Sequence, residues 1–308
     1  MKKLNLKLLV LMLAMVLSMG MMTACGDSTE SEESEAAITV TDMTGNEISL
    51  DAVPEKIVVL TPSDCEILYA IGAGDTVVGR GEYCDYPEEV LDIVTVKSGD
   101  DTNMEEVIAL EPDVIVMGTM AQTEDQVAAL KDAGIEVYVS DSKTIADTYE
   151  NIELMGQLTG HVDEAATVVE EMKTKFADVE AKVEASDPDK TIYFEVSPLE
   201  YGLWTAGTDT FMDEISTMLG VKNVFEDISG FGEVSEEQVL ERNPDLIVTT
   251  TMYFGEGPTP EEEVLARAGW TSVTAIKDGM VYNADSNMIT RPGPRLADAA
   301  EALYEFIY

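Results

Sequence analysis

The sequence predicts two α/β lobes, each built on a covered and largely parallel sheet, and three observations point there. Behind an apolar leader about 270 residues remain, enough for two domains of ordinary size, each with its own core. Along that length short apolar runs alternate with amphipathic stretches, the pattern of strands and helices in turn. A segment near residue 103 recurs near residue 235, so the two halves repeat one unit.

The first lobe begins at Ile38 and extends to residue 142. Ile57 to Leu60 reads as a buried strand, and Ser63-Asp64-Cys65-Glu66 as a capping box opening a helix that runs through Ile71. Thr76 to Gly79 is the next strand, followed by a helix from Glu105, a strand Val114 to Met117, a helix Thr123 to Ala133 and a strand Ile135 to Val139. Ile145, Tyr149, Ile152 and Met155 recur at spacings of three and four, which predicts a helix over Thr144 to Leu158. A second helix, Asp163 to about Val183, follows Gly160, and Thr191 to Val196 restarts the strand–helix alternation.

The repeat is legible position by position. Asn103-Met104-Glu105-Glu106-Val107 through Pro112-Asp113-Val114-Ile115-Val116 matches Ser235-Glu236-Glu237-Gln238-Val239 through Pro244-Asp245-Leu246-Ile247-Val248. Each copy predicts a capped helix, a Pro-Asp turn and a buried strand. Asn103 and Ser235 with Glu106 and Gln238 are used in satisfying free backbone donors at the helix start. Glu105 and Glu237 remain over. A carboxylate in a first helical turn complements the helix dipole, and a pair of them at equivalent positions also suits a two-fold symmetric partner.

The leader carries Lys2, Lys3 and Lys7 before an apolar run, Leu8 to Leu17, too short to span a bilayer comfortably. It ends in Met22-Thr23-Ala24-Cys25-Gly26, which resembles a bacterial lipoprotein signal: residues 1–24 would be removed and Cys25 lipidated. Residues 26–35 are polar and acidic with nothing to bury, so 25–37 reads as the lipidated cysteine and its disordered tether. The chain is then held at the outer face of the cytoplasmic membrane by acyl chains alone. Eighteen Lys and Arg against 61 Asp and Glu give a net charge of -43, which excludes nucleic acid as a partner. Cys65 and Cys84 have no metal-ligand spacing, and whether they pair as a disulfide is open at this stage. A single histidine, His161, excludes a bare metal site built from imidazoles.

Several further segments carry a family resemblance: Ile57 to Leu60 with Thr61-Pro62-Ser63, Tyr83-Cys84-Asp85-Tyr86-Pro87, the two Pro-Asp units, Trp204-Thr205-Ala206-Gly207, and Arg291-Pro292-Gly293-Pro294-Arg295. Together and in this order they resemble the ABC-transporter binding proteins for vitamin B12, haem and ferric siderophores. The resemblance implies the class III periplasmic-binding-protein fold, with residues 143–160 as the connecting helix and 161–308 as the second lobe. It implies a monomer that works with a permease dimer and its ATPase subunits, docking through Glu105 and Glu237. It carries no cofactor of its own; a cobalt corrinoid or an iron chelate would be its cargo.

A ligand between lobes of this kind belongs at the loops after strand ends. Tyr83 and Tyr86 in the first lobe and Trp204 and Phe231 in the second supply aromatic faces there, suited to a flat macrocycle. Arg291 and Arg295 supply bidentate cations for acidic side groups. Similarity to the B12-binding members places Tyr83, Trp204, Phe231 and Arg291 at the cleft, although Gly99 and Asn287 stand where those members can carry tryptophan and aspartate. Cobalamin is the expected ligand, with haem or a ferric siderophore as the alternative; haem would take Tyr83 or Tyr86 as an axial phenolate, with His161 left at a helix junction. The sequence has no Walker loop, Gly-x-Ser-x-Gly elbow or His-Glu-x-x-His, and Gly72-Ala73-Gly74 follows a helix where a dinucleotide loop follows a strand, so an enzyme is not expected.

Overall fold

The computed structural model describes residues 37–99, 102–119, 123–183 and 190–308. The leader, Cys25 and all but the last residue of the tether lie outside them. Two parallel sheets organise the chain. The first has the order β5-β4-β3-β6-β7, from Ile57–Val59 (β3), Val77–Gly81 (β4), Thr95–Val96 (β5), Val114–Gly118 (β6) and Glu136–Ser140 (β7). The second has the order β10-β8-β12-β13, from Thr191–Glu195 (β8), Lys222–Asn223 (β10), Leu246–Thr249 (β12) and Val281–Asn283 (β13). Two antiparallel pairs complete the strands: Ile38–Thr41 (β1) with Glu47–Leu50 (β2), and Trp204–Ala206 (β9) with Phe231–Glu233 (β11). Eleven α-helices lie among the described residues: Pro62–Ala70 (α1), Met104–Ile108 (α2), Glu124–Asp132 (α3), Ile145–Thr159 (α4), Val162–Lys182 (α5), Phe211–Met218 (α6), Glu236–Arg242 (α7), Pro260–Leu265 (α8), Thr274–Asp278 (α9), Ser286–Ile289 (α10) and Leu296–Ile307 (α11).

Strand alternation explains why both sheets are covered on both faces. Ile57, Val59, Val114 and Val116 of the first sheet and Ile192, Phe194, Leu246 and Val248 of the second point into one continuous core, shared with α1, α4, α5 and α11. Val58, Ile115 and Met117 point the other way, into a core with α2 and α3. Tyr193 and Ile247 do the same in the second lobe, among Val239, Val264 and Trp270. The two lobes are therefore joined through a common apolar interior.

The repeat extends beyond its sequence. In each sheet the strand after the Pro-Asp turn lies beside the lobe's opening central strand, β6 beside β3 and β12 beside β8. Glu111 and Asn243, the equivalent residues before each proline, both adopt left-handed backbone, with φ of 51° and 48°. Each following aspartate ties the turn to its neighbouring strand. Asp113 accepts from the backbone N–H groups of Glu55 and Lys56, both at 2.9 Å, and Asp245 accepts from the N–H and hydroxyl of Thr191, both at 2.8 Å. The full capping box forms at Ser235 and Gln238, and at Asn103 the carboxamide oxygen accepts from the N–H groups of Glu105 and Glu106.

The helix expected over 143–160 forms as α4, between its Thr144 cap and Gly160, and α5 folds back on it as a hairpin. Helix α4 covers the first sheet through β1 and α1, but its first N–H donates to Glu214 of the second lobe at 2.6 Å. Helix α5 runs back against it and packs on α11, with Lys182 paired to Glu301 at 2.8 Å. Its buried stripe Ala165, Val169, Met172, Phe176 and Val179, at spacings of four and three, fits both neighbours at once. Gly156 permits the close approach, since a Cβ there would lie 2.5 Å from that of Ala165. His161 is the residue before α5 and is held by the carbonyl of Thr159 at 2.8 Å, consistent with a role at the helix junction. Cys65 and Cys84 are both buried and free.

The expected capping box at Ser63 to Glu66 does not form. Pro62 occupies the first helical turn and Thr61 is the N-cap, so the helix starts before Ser63 and its acidic residues turn inward. Asp64 is wholly buried and accepts from Ser140 Oγ at 2.7 Å and Asn151 Nδ2 at 2.9 Å. Burial outweighs these bonds and pushes its carboxyl up to about 6 from 3.8. The folded chain thus holds a proton on Asp64 that the unfolded chain releases between those values. The stabilisation is complete below about pH 3.8 and is lost as pH rises through about 6. Asp64→Asn should therefore gain stability relative to the native chain by roughly 2 kcal/mol between pH 4 and pH 7.5. Paired urea denaturations at those two pH values check this, and a difference that does not move with pH would exclude the buried carboxyl as its source.

Candidate functional site

The carboxyl ends of both sheets face one another. The loop after β4 holds Tyr83, Asp85 and Tyr86, and Asp85 reaches Arg291 in the segment beyond β13. The segment after β7 likewise meets the second lobe, where Phe211 N–H donates to the carbonyl of Lys143 at 2.8 Å. In doubly wound sheets this edge, beside the strands where the winding reverses, is where ligands sit. Here those strands are β3 with β6 and β8 with β12.

Aromatic side chains stand on the segments beyond these strand ends. Tyr83 is 60 % exposed and Trp204, the first residue of β9, 42 %. Phe231, opposite Ala206 on β11, is half-buried, its ring tilted against that of Phe211 at 6.1 Å. Its ring is thus partly engaged inside the second lobe, where the sequence predicts an aromatic face. The sequence reading overlooked a second aromatic group. Tyr201 precedes β9, and Met252, Tyr253 and Phe254 follow β12, all exposed. A run of large apolar residues directly before Gly255-Glu256-Gly257-Pro258 was the available signal, since a turn cannot bury them.

The two arginines occupy a different position from the one expected. Glu66, wholly enclosed on α1, receives both. Arg291 Nη1 donates to Glu66 Oε1 at 3.0 Å and to Asp85 Oδ1 at 2.6 Å, and its Nη2 donates to the Tyr83 carbonyl at 3.2 Å. Arg295 grips the same carboxylate through Nε at 2.8 Å and Nη2 at 2.6 Å, and lies 4.0 Å above the ring of Tyr86. One carboxylate of the first lobe thus holds two guanidinium groups of the second. These donors pin the Tyr83–Tyr86 loop and join the lobes, which leaves them engaged before any acidic ligand arrives. Beside them, Asn287 Nδ2 reaches Asp85 at 3.5 Å. Behind this cluster lies a cavity of about 290 Å³ lined by Tyr69, Met172, Pro294 and Asp298, too small for a metal macrocycle.

Other cations at the strand ends are few. Arg80 is buried and donates to the carbonyl of Cys84 at 2.9 Å; Lys143 pairs with Asp141 at 2.7 Å. Lys97, beyond β5, is exposed at the outer edge of the first sheet. Glu105 and Glu237 both sit exposed at the second position of their helices, α2 and α7, in equivalent settings of the two lobes. The Glu237 carboxyl is held below its ordinary value by its own backbone N–H at the helix start and by the Ser235 hydroxyl, which keeps it ionised.

Two doubly wound lobes with a shared core, meeting at the loops beyond their strand ends, have the architecture of a two-lobed solute-binding protein. The periplasmic binding protein family matches residues 57–288, and the chain belongs to that family. Its members are solute-binding transport proteins and not enzymes. An ABC transporter substrate-binding lipoprotein of Bacillus subtilis is 35 % identical over 96 % of this chain and 95 % of its own length. A vitamin B12-binding protein of Vibrio cholerae is 26 % identical over 82 % of this chain and 89 % of its own. Among solved structures, a possible iron-binding, periplasmic solute-binding protein of Staphylococcus epidermidis superposes with a TM-score of 0.71 at 30 % identity, covering 83 % of this chain and 99 % of that one.

Proposed function

We propose that this chain is the lipid-anchored binding component of an ABC importer, capturing a corrinoid in the gap between the lobes and passing it to a permease. The observation that carries the ligand class is the pairing of an aromatic rim with spent cations. Tyr83, Trp204 and Phe231 offer ring faces and edges to a flat macrocycle, while Arg291, Arg295 and Lys143 are each already engaged by a carboxylate. In a chain of net charge -43 a polyanionic chelate gains little there, whereas a corrinoid with an amide periphery needs no cationic partner.

A second reading is haem or a ferric chelate, favoured by the exposed phenol of Tyr83, an available axial ligand for iron. Loss of haemin binding in Tyr83→Phe would support it. Tyr86 is less suited to that role, since Arg295 covers its ring.

Delivery would follow from docking through Glu105 and Glu237 onto cationic residues of the permease, with Cys25 as the membrane anchor. The two carboxylates are exposed, one per lobe, and make no ion pair among the described residues. Glu105→Lys combined with Glu237→Lys should abolish cobalamin uptake by cells while leaving the affinity of the purified chain within about twofold. Uptake at the native rate in that double variant would remove the docking assignment.

A further inference from the structure

The loop that leaves β12 carries Met252, Tyr253 and Phe254 in succession, and Phe254, 86 % exposed, is the most exposed large apolar side chain among the described residues. Its base is firmly held. Thr250 N–H donates to the Glu195 carbonyl at 3.2 Å, Asn283 Nδ2 donates to the Thr251 carbonyl at 3.1 Å, and the Thr249 and Thr251 hydroxyls pair at 3.0 Å. The far end is fixed as well, because Thr259 caps α8 in a full capping box with Glu262. Between these anchors Gly255 and Gly257 take left-handed backbone, φ 82° and 78°, with open space around both. Tyr253 Oη, donating to the Gly257 carbonyl at 3.2 Å, spans the tip.

The position of that base decides what the tip can cover. Glu195 ends β8, and the next residue, Val196, donates its N–H to the carbonyl of Trp204 at 3.0 Å. The Glu195 carbonyl and the Val196 N–H belong to one trans peptide and point to opposite sides, so Thr250 and Trp204 flank the end of β8, and the Met252–Phe254 tip leaves the same end of the sheet as Trp204 on the other side of that strand.

We propose that the 251–257 loop is the outer wall of the ligand gap and that Phe254 determines how long a bound chelate is retained, by covering an apolar face or edge that Trp204 and Tyr83 leave open. This rests on reading the gap as a chelate site. A wall that closes after capture slows escape more than it slows entry.

Stopped-flow quenching of tryptophan fluorescence by cyanocobalamin gives both rates for the purified chain. Phe254→Ala should speed dissociation about tenfold while association stays within about twofold. Val162→Ala, an exposed apolar residue at the start of α5, should change neither. Unchanged melting of Phe254→Ala checks that the fold is kept. If the native chain binds cyanocobalamin and Phe254→Ala releases it at the native rate, the wall is disproved; reduced cellular uptake with that same native release rate would instead assign the loop to the permease. A native chain that retains haemin and not cyanocobalamin overturns the corrinoid reading alone, and the same two rates with haemin then decide the loop. Retention of neither would remove both.

Discussion

Replacing Glu66 with alanine should cost about 3 to 5 kcal/mol of folding stability, because one enclosed carboxylate compensates two guanidinium groups that cannot follow it out. Arg291 would keep Asp85, which is 44 % exposed and a weaker counter-ion, and Arg295 would keep only the Tyr86 ring and the Asn287 carbonyl. The loss should appear as a lower urea midpoint at an unchanged slope, with the two lobes unfolding in one transition because they share a core. A loss below about 1 kcal/mol would show that solvent reaches the cluster and that the ion pairs are ordinary surface contacts. Glu66→Gln keeps the volume and one acceptor oxygen but removes the charge and turns a donor toward the arginines, so it should fall between the native chain and Glu66→Ala.

Trp204→Ala should weaken cyanocobalamin binding by about 2 to 4 kcal/mol, a loss of at least thirtyfold in affinity. Trp204 is the largest ring at the rim, and it is mounted on β9, whose Trp204 carbonyl and paired strand β11 fix it in place. A rigid ring gives up little side-chain entropy on binding, so most of its burial is available to the complex. Leu265→Ala, on helix α8, removes exposed apolar surface outside the rim and serves as the control. Equal affinities for the native chain and Trp204→Ala would move the ligand away from the gap.

The fold was largely legible in sequence because its signals are local. The unbroken apolar runs of Ile57–Val59 and Leu246–Thr249 record two covered faces, and the matched Pro-Asp units record a repeat that the structure extends to their backbone angles. The candidate site was legible only where a residue's setting is local too. Trp204 lies beside its turn in sequence, and its exposure followed from that setting. Glu66 was misread as part of a capping box because Ser63-x-x-Glu66 satisfies that pattern locally, while the arginines that claim it lie more than 220 residues away. Arg291 and Arg295 were read as ligand contacts for the same reason: scarcity of cations marks them as important, but only the packed structure reveals their counter-ion. Both helices of the hairpin were legible from their periodicity, but the packing of α5 on α11, at the far end of the chain, was not.

Calorimetric titration of the chain from Gly26 onward with cyanocobalamin, alongside haemin, decides between a corrinoid and a polyanionic iron chelate as the ligand. Saturable one-to-one binding of cyanocobalamin is expected, with haemin weaker by at least tenfold. Tight haemin binding with no heat from cyanocobalamin would overturn the corrinoid reading and assign the chain to iron uptake.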